Sequence, residues 1–538
     1  MSSAPADYHP PVTFRSLLFD DPDADLAVDG LAEPGCFGDI RLDQVVAAIT
    51  AGREESKLAP FFWAPLRTRA AVTYRQDVFR DLGRSSILAA LRAFAVGLRA
   101  MRADQHRARW AGHRLEEQRW MLAARQRYCA AVSSLARDLA HAQPAPASVA
   151  LGRLAAYLDA EVAGGSFSAL AADTARVAAG LATVTYRLEI TGTRIRVGRW
   201  AGASAASDGG GVPEPDYGAE VRAAFERFRQ GGPREFSFEI PTDDAMNPLE
   251  AEVAERVARL FPDAFGALAT YCAAHLDYLD ETIVRLDREL AFCLAWLEHA
   301  DRLAAAGLVM SLPEVTDSPS EASGRDLFDL ALASARVREG ATVVTNDLDV
   351  RPGERIVVIS GPNQGGKTTF ARTVGQVHYL ASLGVPVPGR DVRVGLVDEI
   401  FTHFEREEDL RTLTSKLEDE LLRIRMILET ATPNSLVILN ESFGSTSLED
   451  ALAIGRDVLG TVATHGPLCV FVTFLDELAA LGPGVVSMTS TVDPVDPAVR
   501  TFRVVRRPAD GLAYADALAR KHHLTEADIR ARLGGRPA

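Results

Sequence analysis

The sequence predicts a C-terminal α/β domain built on a parallel sheet, carried on a long, mainly helical body with a small strand-bearing insert. Three observations predict it. Beyond residue 324 short apolar runs alternate with helical stretches, the rhythm of a sheet covered on both faces. Upstream, from Leu42 to about Ala306, apolar residues mostly recur three or four apart, as one face of a helix requires. Inside that helical body the period drops to two between Val184 and Arg199, as a strand pair requires.

Residues 1–40 are rich in Pro, Asp and Gly and read as an extended arm or small cap. Residues 41–182 read as long amphipathic helices. Leu88, Leu91, Ala95, Leu98 and Met101 mark one apolar face, and Gln143-Pro144-Ala145-Pro146 breaks the run before a further helical stretch from Ser148 to about Ala182. Residues 183–247 form the insert. There Val184, Tyr186, Leu188 and Ile190 alternate along one strand, Thr191-Gly192 turns, and Thr193 to Arg199 return. A Gly/Ser/Ala loop from Ala201 to Gly211, a short helix near Val221 to Phe228 and a third strand, Glu235 to Ile240, complete it. Residues 248–312 read as a helical return with one kink at Pro262. Within 324–508 the sequence predicts strands at 355–360, 435–439 and 468–474 and helices at 368–383 and 448–464, and residues 509–538 end in a short helical tail.

Composition narrows the class. Hydrophobic residues make up 47% and charged residues 24%, as in soluble globular proteins. No basic flank leads into an apolar stretch near the N-terminus. The apolar segment Ile87 to Met101 is interrupted by Arg92 and Arg99, so no membrane partner and a cytoplasmic location are expected. Five cysteines in no CxxC or Cys/His spacing predict reduced core thiols and give no sign of a metal site. A net charge of -15 opposes general adhesion to nucleic acid. Between Arg67 and Arg137, however, fifteen Arg face five acids, a local excess of +10, so any nucleic-acid contact would have to be local.

The strongest motif is Gly361-Pro362-Asn363-Gln364-Gly365-Gly366-Lys367-Thr368, which fits G-x-x-x-x-G-K-[ST], follows the apolar run Ile356 to Ile359 and opens a helix. Glycines let successive backbone N–H groups point at phosphate oxygens, and the helix N-terminus adds partial positive charge. Lys367 would reach the β- and γ-phosphates, and Thr368, followed by Thr369, would offer its hydroxyl to Mg²⁺. Only four lysines occur in the chain, Lys57, Lys367, Lys416 and Lys521, so lysine persists where a slim ammonium is needed and a planar guanidinium would not serve. Downstream, Ser435 to Leu439 is an apolar run ending in Asn440-Glu441. A buried strand of this kind delivers polar side chains at its C-terminal edge, with Glu441 able to orient or deprotonate water and Asn440 placed near the metal.

The segments GPNQGGKTT, Asp398-Glu399-Ile400-Phe401-Thr402 and Asn440-Glu441-Ser442-Phe443-Gly444-Ser445-Thr446-Ser447 together resemble the ATPase core of the MutS family of DNA mismatch repair ATPases, from about Phe328 to Val505. The resemblance implies an ABC-type P-loop ATPase domain, ATP and Mg²⁺ as ligands, and a homodimer through the ATPase domains. It implies lever helices in the helical body and a DNA-holding clamp at the insert. It also implies that Ser415, in Thr414-Ser415-Lys416, completes the site of a partner subunit; by itself Ser415 equally fits an ordinary helix start.

Three departures qualify the implication. The family's mismatch-reading domain would precede the lever, yet little chain stands there and no Phe-x-Glu tripeptide occurs. Asn440 stands where P-loop enzymes usually carry Asp, and Phe474 stands where the family has a phosphate-sensing histidine; both point to slow hydrolysis. In the insert, Arg194 and Arg196 alternate with Ile195 and Val197, with Arg187 and Arg199 nearby. This is either a phosphate-gripping surface or a solvated strand face. Two functions follow: a dimeric, ATP-hydrolysing DNA clamp of repair or recombination, or a weakly hydrolysing nucleotide switch that recruits a protein without binding DNA.

Overall fold

A computed structural model of the chain describes residues 14–20, 28–191, 194–200, 246–404, 416–444, 446–496, 499–509 and 523–534. The chain divides into two compact units, Met1–Ala89 with His141–Tyr157 and Glu281–Ala538, and Ala90–Ala140 with Leu158–Asp280.

In the second unit the helices Arg114–Ala140, Gly165–Ala182 and Pro262–Ala274 pack through Leu122, Val177, Leu268, Tyr271 and Cys272. Strands β1 (Tyr186–Thr191) and β2 (Arg194–Arg199) pair antiparallel, as their alternation predicts. The expected loop, helix and third strand of 201–240 lie outside the described residues. The helical return differs from expectation. In place of one helix kinked at Pro262 there are three, Pro248–Leu260, Pro262–Ala274 and Glu281–Ala305. Phe261 leaves the helical region (φ -125, ψ 58), and Pro262 opens a new helix in its first turn, where the missing N–H is not needed.

The first unit departs from the expected boundary at residue 41. Phe14, Leu17, Leu18 and Phe19 are core residues, not part of an extended arm. The buried carboxylate of Glu289 accepts from the Ser16 hydroxyl and the Leu17 N–H, each at 2.5 Å. The buried guanidinium of Arg75 donates to the carbonyls of Leu18 (3.2 Å) and Leu383 (2.9 Å). Charges that leave water need such partners, so a short segment with little periodicity is fixed by two buried ions. Next along the chain, the turn Phe37–Ile40 docks on the helix Lys367–Ser382. Phe37 meets Tyr379 edge-on at 4.9 Å, while Gln376 donates to Ile40 O and Arg372 to Asp39 O. The long helices expected from Leu42 onward begin as shorter ones, Leu42–Thr50, Ala59–Phe62 and Arg69–Leu82, ahead of Ser85–Trp110 and Arg114–Ala140.

Two sheets organise the C-terminal part, with a two-residue pairing of β3 (Met310–Ser311) and β8 (Val387–Pro388) beside them. One contains β4 (Glu314–Thr316), β5 (Ala322–Leu327), β6 (Asn346–Val350) and β9 (Arg390–Gly395), in the order β4-β9-β5-β6. The larger contains β7 (Ile356–Ser360), β10 (Ile400–Phe404), β11 (Leu436–Asn440), β12 (Leu468–Val472), β13 (Val485–Val492) and β14 (Arg500–Arg506), in the order β10-β11-β12-β7-β13-β14. Every pair in the larger sheet is parallel except β13 with β14. All residues of β7, β11 and β12 are buried, which is why these strands read as unbroken apolar runs. Helix Leu448–His465 begins on Ser447, whose hydroxyl accepts from Asp450 N–H, and ends on Gly466 in the left-handed region. Asn346 joins the two sheets, donating to Phe502 O (3.2 Å) and accepting from Val504 N–H (2.7 Å). All five cysteines are buried free thiols, and among the described residues no helix is long and apolar enough to cross a membrane.

Two stability tests arise from this packing. A Cβ on Gly375 would sit 2.8 Å from Ile438 and 2.9 Å from Ile40, so Gly375→Val should destabilise the first unit by about 1–3 kcal/mol in urea titrations. Burial drives His299 and His378 down from 6.5, each to about 4. Unfolded histidines protonate near 6.5 and these folded ones near 4, so the unfolded chain takes up the extra protons and stability, full above 6.5, is lost as pH falls toward 4. The Nδ1–H of His378 donates to Val374 O at 2.8 Å, and its Nε2 meets no partner among the described residues. His378→Leu should therefore reduce the acid-side loss of urea midpoint by the contribution of about one proton.

Candidate functional site

The phosphate-loop residues, Asn440 and Glu441 gather at the carboxyl edge of the larger sheet, where parallel strands open into loops, whereas Asp398 and Glu399 precede β10 at the opposite edge, where Asp398 accepts from the Ser435 hydroxyl (2.7 Å). From the end of β7 the chain curls through Gly361 (φ 108), Gln364 (φ 60) and Gly366 (φ 91) and enters the helix Lys367–Ser382. Glycine is required here for two reasons. Left-handed backbone disfavours other side chains at Gly361 and Gly366. In addition, Cβ atoms on Gly361 and Gly365 would lie 2.7 and 2.6 Å from the Ser490 hydroxyl of β13. Pro362 is buried, Asn363 and Gln364 are exposed, and Thr368 and Thr369 lie in the first helical turn.

Lys367 is 3% exposed. Its ammonium donates to Gly361 O (2.9 Å), Asn363 Oδ1 (3.1 Å) and Pro362 O (3.4 Å) and stands 3.8 Å from Glu441 Oε1. Burial pushes its pKa below the ordinary lysine value and Arg500 adds to that, while Glu441 and Asp476 oppose it. At the end of β11, Asn440 is buried, and Glu441 (φ 51) and Phe443 (φ 68) adopt left-handed backbone that turns the chain away from the strand. Glu441 N–H donates to Val472 O (2.9 Å), and Phe443 N–H to the buried carboxylate of Glu420 (3.2 Å). Ser360 Oγ, Asn440 Oδ1, Ser442 Oγ and Ser490 Oγ are buried with no hydrogen-bond partner among the described residues. Buried polar atoms without partners are costly, and four of them on the strands and turns at one sheet edge mark it as a place built to receive polar groups.

Four residues around the site carry no signal in the sequence pattern. Ser490 lies against two of the glycines, Arg500 donates to Asn363 O (3.2 Å), Glu420 holds the turn after β11, and Asp476 acts on Lys367. Nothing in the run Val485 to Val492 signals Ser490, because only the pairing of β13 with β7 brings it under the loop. Phe474 is 48% exposed. Ser415 lies outside the described residues, as does the rest of 405–415.

The basic hairpin resolves into two faces. In the backbone register Arg196 pairs with Glu189, Arg187 with Gly198, and Arg194 with Thr191; the side chain of Arg194 is outside the described set. Arg187 Nε lies 3.8 Å from Glu189 Oε1, so one carboxylate neighbours both Arg187 and Arg196. Arg199 does not join them. It pairs with Tyr186 on the other face, donates to Leu260 O and covers the Phe261 ring at 4.9 Å.

A buried lysine enclosed by a glycine turn, at the mouth of a parallel sheet, defines a P-loop domain. Residues 357–514 match the family profile described as MutS domain V. The chain is 31% identical over 195 residues to Endonuclease MutS2 of Gemmatimonas aurantiaca, covering 36% of this chain and 24% of that protein. It is 31% identical over 263 residues to DNA mismatch repair protein MutS of Granulibacter bethesdensis, covering 47% of this chain and 27% of the relative. Identity to the protein of the same name from Chloroflexus aurantiacus is 38% over 248 residues, covering 43% and 24%. The chain thus carries a MutS-family domain over residues 357–514, and the matched segments span about a quarter of the length of these relatives.

The loop geometry is testable through its tightest contact. Gly365→Ala should weaken binding of a fluorescent ATP analogue roughly ten-fold or more, because the loop must shift to admit the methyl group. Ser490→Gly in the same chain should partly restore it, since the serine hydroxyl is the nearest atom at 2.6 Å.

Proposed function

We propose that this protein is an ATP-dependent DNA-binding protein of the MutS type, a dimeric ATPase acting in DNA repair or recombination. The observation that carries the reading is the convergence of Lys367 and Glu441, 3.8 Å apart, from two strands on one glycine turn. The backbone N–H groups of the loop, Pro362 excepted, and the N-terminus of helix Lys367–Ser382 receive the phosphates of ATP. Lys367 exchanges its loop carbonyls for phosphate oxygens, and Glu441 orients the attacking water or takes its proton. The donors fit a hard divalent cation: the Thr368 hydroxyl at the helix start and the partnerless Oδ1 of Asn440 are oxygen ligands or acceptors for its waters, with Glu441 beside them. Mg²⁺, when bound, supplies charge that offsets the developing negative charge on the phosphates. Ser415 completes the site of a second subunit, and Arg187, Arg194 and Arg196 of the hairpin contact DNA phosphates, with Arg199 fixing the hairpin to Phe261.

One observation favours a second reading. Asn440 provides an amide where a carboxylate would bind a metal shell more strongly, and this suits a nucleotide switch that recruits a protein partner with little turnover. Steady-state ATP hydrolysis with and without duplex or branched DNA separates the two. The MutS-type ATPase requires DNA-stimulated turnover that Lys367→Ala abolishes and that Glu441→Gln lowers by roughly 10² or more while binding persists. Saturable ATP binding with no turnover under either condition would select the switch.

A further inference from the structure

The nucleotide reading leaves a charge deficit: Asn440 brings no negative charge to the cation. The fold offers a replacement one strand away. Strand β12 lies between β11, which delivers Asn440 and Glu441, and β7, which leads into the phosphate loop. Asn440 is level with Val472, and Val472 with Ile359, so whatever follows β12 emerges between Glu441 and the loop. Thr473 N–H bonds Ile359 O, and the Thr473 hydroxyl then accepts from Leu475 N–H (3.0 Å), bending the chain. The short helix Asp476–Ala480 that follows packs on both β7 and β13. Leu475 and Leu478 are buried in the core on either side of Asp476, so its backbone is fixed, while Asp476 itself remains half-buried. Its carboxylate is one of the two, with Glu441, that favour the charged form of Lys367.

Resting on the nucleotide reading, we infer that Asp476 is a positioning residue of that site, supplying beside Lys367 the negative charge toward the cation's hydration shell that Asn440 lacks. A carboxylate in this place has opposite effects on the two parts of the ligand. It attracts the divalent cation and repels the bare triphosphate. A merely structural residue would shift affinity the same way whether or not the cation is present.

The test is binding of a fluorescent ATP analogue to the full chain, in Mg²⁺ and in excess EDTA, with the melting temperature followed in parallel. Asp476→Asn should weaken binding in Mg²⁺ roughly ten-fold and leave it unchanged or tighter in EDTA; adding Asn440→Asp should restore the Mg²⁺ dependence. Asp476→Glu, which keeps the charge, should behave as wild type and serves if the asparagine variant melts early. Equal Mg²⁺ dependence in wild type and Asp476→Asn, or loss of affinity by the same factor in both buffers, overturns the inference. Lys367→Ala separates the two levels. If it binds nucleotide as wild type does, the nucleotide reading itself fails; if it abolishes binding while Asp476→Asn is indistinguishable from wild type, only the role of Asp476 falls.

Discussion

The site turns on a buried ammonium. Lys367 has left water almost completely, and an uncompensated cation in that position would be lost to deprotonation or would unfold the loop. Two carbonyls and an amide oxygen of its own turn hold it, and they converge only because Gly361, Gln364 and Gly366 adopt left-handed backbone. Ser490 lies close beneath the turn, which leaves room only for glycine wherever a Cβ would meet the serine. The carboxylates of Glu441 and Asp476 arrive from the ends of adjacent strands and favour the charged form. Loop curvature, strand order and the placement of acids are thus one electrostatic solution.

The same logic extends to the N-terminal segment. Residues 14–19 and 36–41 are too short to form a core of their own, yet they pack within the unit that holds the phosphate loop. Arg75 binds Leu18 O and, at the far end of the loop's helix, Leu383 O, while Gln376 and Arg372 of that helix hold the turn at Ile40 and Asp39. The helix is consequently tied to fixed groups at its middle and at its C-terminal end. Anchored in this way it keeps its N-terminus aimed at the loop, which is the requirement for binding an anion by its amides.

In the hairpin, pairing rather than composition decides which arginines act together. Arg187 lies 3.8 Å from Glu189, which pairs with Arg196 in the backbone register, whereas Arg199 fastens the strand to Phe261. The alternation of Arg194 to Arg199 alone could not assign these roles, because cross-strand neighbours come from the other half of the hairpin.

What the sequence determined by itself is the material fixed by local physics. Strands β7, β11 and β12 were legible as apolar runs because both their faces are buried. The loop was legible because its glycines and lysine have backbone and charge requirements that few other residues meet. Only the tertiary structure decided what depends on distant chain meeting at one edge. Strands β10, β13 and β14 and the four-stranded sheet carry mixed polar patterns that announce no strand until their partners are in place. Ser490, Glu420 and Asp476 gain their significance from strand order, and residues 14–19 gain theirs from two buried ions far along the chain. Periodicity records which side of an element avoids water; it carries no information about which other element covers it.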